Sequence, residues 1–181
     1  MAKLIPITTF KIALVVAAFL LVAVLLMRVS GEPVSAFAQI DIAAPIETVW
    51  QIQTDFAKWQ EWNADIQSMD VKGPVQPGTE FVWKAGGISI QSRIQEVVVN
   101  SRIVWTGKAF GLNAVHQWDF TQHNGITHVY TQETFSGPMV WLMPSTMRIM
   151  IRDALQTGVT LLKGRSEQTV LKTAPKQSQE K

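Results

Sequence analysis

The sequence predicts an α+β domain behind an apolar N-terminal helix, and three observations carry that prediction. From Ile12 to Met27 no charged or strongly polar side chain occurs. Beyond the stretch KGPVQPGTE and as far as Gly137, apolar and polar residues alternate at period two, broken by Gly86-Gly87, Asn100-Ser101, Gly111-Leu112 and Asn124-Gly125, which read as hairpin turns. From Ser145 the apolar period lengthens, so that Met147, Ile151, Ala154, Leu155, Gly158 and Leu162 share one helical face.

The apolar run, with Phe10 or Val29 added, reaches the short end of the roughly 17–25 residues that a bilayer-spanning helix needs. It predicts a single-pass transmembrane anchor at 12–29, preceded by residues 1–11 and followed by a turn-rich linker at 30–36. Lys3 and Lys11 precede the run, whereas Arg28 is offset by Glu32, so the N-terminus is expected in the cytoplasm and the domain on the other side of the cell membrane. A cleaved signal peptide is the rival reading, because Ala36–Ala38 forms an A-x-A site that would leave Gln39 as the new terminus. The length of the apolar run and the position of that site inside the expected first strand oppose it.

The domain is expected over 37–168. An alternating strand ends at Ala44-Pro45. Pro45 then opens a helix with Ile46, Val49, Trp50 and Ile52 on one stripe. A second short helix carries Trp59 and Trp62. After the meander, the segment Pro138 to Pro144 leads into the long helix, which Ser145 can cap. Gly158 costs about 1 kcal/mol against alanine inside a helix, which suggests a close approach there. Residues 169–181 are polar and unpatterned, as in a disordered tail.

Strand, two helices, meander and terminal helix is the order of the helix-grip fold, a curved antiparallel sheet wrapped around a long C-terminal helix. The stretches IDIAAPIETVWQIQTDFAKWQEWN, PGTEFVW, RIVWTG, AVHQWDF and ETFSG resemble the SRPBCC superfamily, the START, birch-pollen-allergen and polyketide-cyclase group, over Phe37 to Gln168. That resemblance implies a cavity between sheet and terminal helix that takes a hydrophobic small molecule or lipid. Only some members are enzymes, so the fold does not name a reaction.

Two-residue hairpin loops would place Phe81 opposite Ser92, Glu96 opposite Trp105, Trp105 opposite Trp118, Gly107 opposite His116 and His116 opposite Glu133. One face then holds Phe81, Trp83, Ile90, Ile94, Val98, Ile103, Trp105, Trp118, Phe120 and Val129, and its only ionisable groups are Glu96, His116 and Glu133. This is the face expected to line the cavity. The ligand-binding candidates are Trp83, Glu96, Trp105, His116, Trp118, Phe120, Thr131 and Glu133, with Met147, Ile151 and Leu155 from the helix. His116 and Glu133 are also the candidate general acid and base, or a ligand's polar anchor, or simply a buried pair that sets strand register; their protonation is left open. His123 and His128 are expected in solvent.

A net charge of +2 from scattered basic residues argues against nucleic acid, and the absence of cysteine excludes disulfides and thiolate chemistry. No phosphate-binding loop, H-E-x-x-H, calcium loop or G-x-S-x-G occurs, and one cavity histidine is too few for zinc or a Rieske cluster, so neither metal nor cofactor is expected. The favoured reading is a membrane-anchored protein that binds, and in one version transports, a hydrophobic small molecule. The alternatives are a cofactor-independent cyclase, dehydratase or hydrolase using His116 and Glu133, and a scaffold filled by its own tryptophans, which a cavity well below about 300 Å3 would favour.

Overall fold

The computed structural model describes residues 7–28 and 31–173; the rest of the expected N-terminal segment, positions 29 and 30 and the tail from 174 lie outside the described residues. The apolar segment forms helix α1, Ile7–Arg28. Side chains are described for 11–23 of it, and those from Lys11 to Val22 are exposed. Among the described residues no helix is long and apolar enough to cross a membrane. The helix expected at 12–29 is thus present as a helix, but its role as a transmembrane span is not shown.

Seven strands form one antiparallel sheet: β1 Val34–Ile42, β2 Ile66–Val71, β3 Glu80–Ala85, β4 Ile88–Val98, β5 Arg102–Ala109, β6 Leu112–His123 and β7 Ile126–Ser136, in the spatial order β1-β7-β6-β5-β4-β3-β2. Helix α2, Ile46–Thr54, and a 3₁₀ helix, Phe56–Glu61, follow β1. After β7 come a short helix α3, Pro138–Leu142, and the long α4, Pro144–Thr173. The α+β helix-grip architecture is as expected, with α4 buried through Met147, Ile151, Leu155, Val159, Leu162 and Ser166. That is one helical stripe at three- and four-residue spacing; Val159 joins it and Ser166 extends it, Gly158 is half-buried against Trp118 as expected, and Ala154 is exposed because the stripe drifts slowly around the helix.

Several local expectations are corrected. Pairing of Val34 with Phe135 starts β1 three residues before 37, and Ala36 lies inside that ladder. The strand β2 was not expected, because IQSMDV shows little alternation. Pro45 caps α2 from outside with an extended ψ of 145°, and Ser145 lies inside the first turn of α4, because Pro144 already starts it. The second helix is 3₁₀. Helix α4 continues past Gln168 to Thr173.

Two hairpin registers also differ. In β4–β5, Val97 pairs with Ile103 and Glu96 with Val104, but Ile94 pairs with Trp105, so Gln95 is an extra residue in a bulge. The bulge reverses the alternation, turning Val97 inward and leaving Glu96 and Val98 exposed. In β5–β6 the turn is Phe110-Gly111, with φ of 45° and 73°, so Trp105 faces His116 and Gly107 faces Ala114. That register moves by two, so every side chain keeps its face.

Candidate ligand-binding site

The registers lay cross-strand rows over the inner face of the sheet. One row reads Ile94, Trp105, His116, Glu133 and Ala36 across β4, β5, β6, β7 and β1. The next reads Val97, Ile103, Trp118, Thr131 and Ala38. His116 therefore sits in an aromatic slot, its ring 4.6 Å from that of Trp105 and 5.5 Å from that of Trp118. The Asn124-Gly125 turn, with φ of 50° and 77°, sets the His116–Glu133 pairing as the sequence predicts.

A directed chain of hydrogen bonds orders this site. The Thr131 hydroxyl donates to the carbonyl of Gln117 at 3.0 Å, so its oxygen is left to accept from His116 Nε2–H, also at 3.0 Å. A neutral imidazole then carries no proton on Nδ1. That atom is buried without a hydrogen-bond partner and faces Glu133 Oε1 at 3.6 Å, too far for a hydrogen bond. Burial pushes the Glu133 carboxyl up to about 8 and the His116 imidazole down to about 3. At neutral pH the pair is an uncharged carboxylic acid beside a bare imidazole nitrogen, because the apolar surroundings penalise both charges. Trp118 Nε1–H is a second buried polar group with no partner.

The space between sheet and α4 is occupied by side chains. Trp50 packs on Phe120 at 5.5 Å, Phe120 stacks with Trp118 at 6.5 Å, and Trp105 meets Phe56 and Trp59 at 5.8 and 5.9 Å. Ile151 and Leu155 complete this core, whereas Met147 belongs to a smaller cluster with Val34 and Val140 near the start of α4. Two hollows of about 430 and 460 Å3 lie elsewhere, one beside the Phe110-Gly111 turn and one along residues 72–80.

Of the candidate residues, the structure gathers Trp105, His116, Trp118, Phe120, Thr131 and Glu133. Trp83 is one ring further out, packed on Trp59 at 6.2 Å with its Nε1–H donated to Ser92 Oγ. Glu96 is outside because of the bulge. His128 is exposed and bonds Asp41 at 2.8 Å. Two further buried side chains hold unpartnered polar atoms, Gln53 Oε1 on α2 and Ser166 Oγ on α4. Spacing could have found both. Gln53 continues the Val49 and Trp50 stripe, and Ser166 continues that of Leu155, Val159 and Leu162.

The fold is shared with known structures. The chain is similar to a START superfamily protein from Mycobacterium smegmatis, with 16% identity over 75% of this chain and 98% of that one, and a TM-score of 0.62. A hypothetical protein from Helicobacter pylori gives 20% identity, 76% and 89% coverage and 0.63. The di-domain ARO/CYC StfQ from the steffimycin biosynthetic pathway gives 15%, 76% and 52%, and 0.64, so this chain corresponds to about half of it. At these identities the likeness carries the fold alone. Among curated proteins no match is found. The family profile described as polyketide cyclase / dehydrase and lipid transport matches residues 33–167, and the chain therefore belongs to that family within the START and birch-pollen-allergen superfamily.

Proposed function

We propose that this protein binds an apolar small molecule carrying a neutral hydroxyl or carbonyl group, between the sheet and α4. One observation carries the reading: on an otherwise apolar face, His116 Nδ1 and the Trp118 indole N–H stand unpartnered, with Glu133 Oε1 3.6 Å from that nitrogen, and burial disfavours the charged form of both His116 and Glu133. Buried polar groups without partners are costly, and a ligand with one acceptor and one donor would satisfy them. Neutrality selects a neutral head group, since an ionised ligand would need a counter-charge that this slot does not offer.

Entry requires the aromatic packing to open. Gly158 on α4 faces Trp118, and an added Cβ would stand 3.7 Å from the ring, an ordinary contact. Alanine therefore fits the packed state, and glycine's helix cost of about 1 kcal/mol is consistent with a second position of Trp118 closer to α4. The apolar α1, whose run from Ile12 to Met27 carries no charged side chain, is what would hold the domain at the membrane. Lys3 and Lys11 favour a cytoplasmic N-terminus, with the domain on the opposite side.

Native mass spectrometry of the full chain extracted in mild detergent tests the binding. A co-purifying neutral molecule, whose affinity falls roughly tenfold or more in Trp118→Phe, which keeps an aromatic ring but removes the indole N–H, is the supporting result. No bound molecule, and no binding of added sterol-like, quinone-like or polyketide-like compounds, would leave a scaffold filled by its own aromatics. A second reading, proton transfer in a cofactor-independent cyclisation or dehydration, is favoured by the protonated carboxyl lying 3.6 Å from a bare imidazole nitrogen. Conversion of the co-purified molecule during incubation, abolished in His116→Gln, would distinguish it from binding.

A further inference from the structure

We infer that the end of the domain formed by the Phe110-Gly111 turn, α3 and the start of α4 rests on the lipid surface of the membrane. Phe110 is 80% exposed, Leu142 62%, Met143 41% and Trp141 40%. These side chains belong to one end of the fold. A Cβ on Gly137, at the start of α3, would collide with the Gly111 carbonyl oxygen, so the β5–β6 turn is pressed against α3 and only glycine fits there. Exposed apolar clusters of this kind mark a partner surface.

The occupant follows from the chain itself. A Cβ on Gly31 would come within 2.8 Å of Trp141 Cδ1, so the backbone at Gly31 lies directly on that indole. Gly31 is three residues beyond Arg28, the end of α1, and three residues span at most about 11 Å. Wherever the end of α1 meets a bilayer, Trp141 is held within about one headgroup layer of it. An indole and flanking methionine and leucine side chains suit that interface, and Lys108 and Arg148 are exposed beside them.

Phe110 adds an independent sign. It takes φ 45° in a turn that asparagine or glycine would form without strain, and it packs against little. An aromatic side chain that is both strained and exposed contributes nothing to folding, which points to a role outside the fold. The inference rests on reading α1 as the membrane anchor and is independent of the ligand's identity.

The chain has no cysteine, so single cysteines can be labelled in the full protein. Bimane at Phe110→Cys and Leu142→Cys is compared with Val99→Cys, which is 70% exposed in the β4–β5 loop at the other end of the domain. The proteins are reconstituted in nanodiscs of phosphatidylethanolamine and phosphatidylglycerol, with or without doxyl groups high on the acyl chains. Blue-shifted emission at 110 and 142 that doxyl lipid quenches, with no change at 99, is the expected result. Unquenched probes in a chain that resists carbonate extraction would overturn the docking and leave the anchor standing. Unquenched probes in a chain that carbonate extracts would overturn both. Probes shielded from aqueous iodide but indifferent to doxyl lipid would show a second copy on the patch, and overturn the docking too.

Discussion

At the scale of single residues, burial of Glu133 and His116 makes stability depend on pH on both sides of a plateau. Glu133 is raised from 4.5 to about 8 in the fold, and His116 is lowered from 6.5 to about 3. Between 4.5 and 6.5 the unfolded chain holds one proton, on the histidine, and the folded chain holds one, on the glutamate, so the pair contributes no slope. Above 6.5 only the folded state keeps its proton, and stability falls as pH rises towards 8, by about 2 kcal/mol in all. Below 4.5 the unfolded state holds two protons against one, and stability falls as pH drops towards 3. Urea titrations across this range check it: Glu133→Gln should lose the alkaline slope, and an unchanged slope would mean the carboxyl is ionised in the fold. Gly158→Ala should stabilise the domain by about 1 kcal/mol yet weaken ligand binding, since it fills the space opposite Trp118. Equal affinity in that variant would remove the argument for a second Trp118 position.

At the scale of elements, two irregularities shape the site. The Gln95 bulge turns Glu96 out of the interior, leaving buried His116 and half-buried Glu133 as the ionisable side chains at the centre of the inner face. The β5–β6 turn places Phe110 on the surface in a left-handed conformation. Phe110→Asn should relieve that strain and raise stability by about 0.5–1 kcal/mol in thermal or urea unfolding, while reducing retention of the domain face at lipid. A loss of stability instead would show that the aromatic ring packs in the fold.

At the scale of the whole molecule, the core that holds sheet to α4 begins at Val34 and Ala36, and the side chains of α1 from Lys11 to Val22 are exposed. A chain beginning at Gly31 should therefore be soluble and keep a cooperative unfolding transition, read by near-ultraviolet circular dichroism of its tryptophans. Loss of that signal would mean α1 belongs to the folded core. Keeping Gly31 matters, since it lies under Trp141 on α3, whose Val140 belongs to the smaller core cluster with Val34 and Met147.

What was legible in the sequence is what local chemistry decides. Period two, period 3.6 and the Asn124-Gly125 turn specify the meander, the long helix and the pairing of His116 with Glu133, because alternation and a type I′ turn leave one face and one register. Glu96 was misplaced because a bulge inserts a residue without any signal in the alternation, and only pairing with β5 shows it. The β5–β6 register was missed because Phe110 is a poor left-handed residue, and the neighbouring glycine drew the turn one residue along. Tertiary structure alone decided the protonation of the site, since neutrality comes from the low-dielectric packing of Trp105, Trp118 and α4 around the pair. It also decided that the aromatics fill the interior, and that Trp141 lies where α1 joins the domain, because contacts between residues far apart in the chain leave no periodic trace in it.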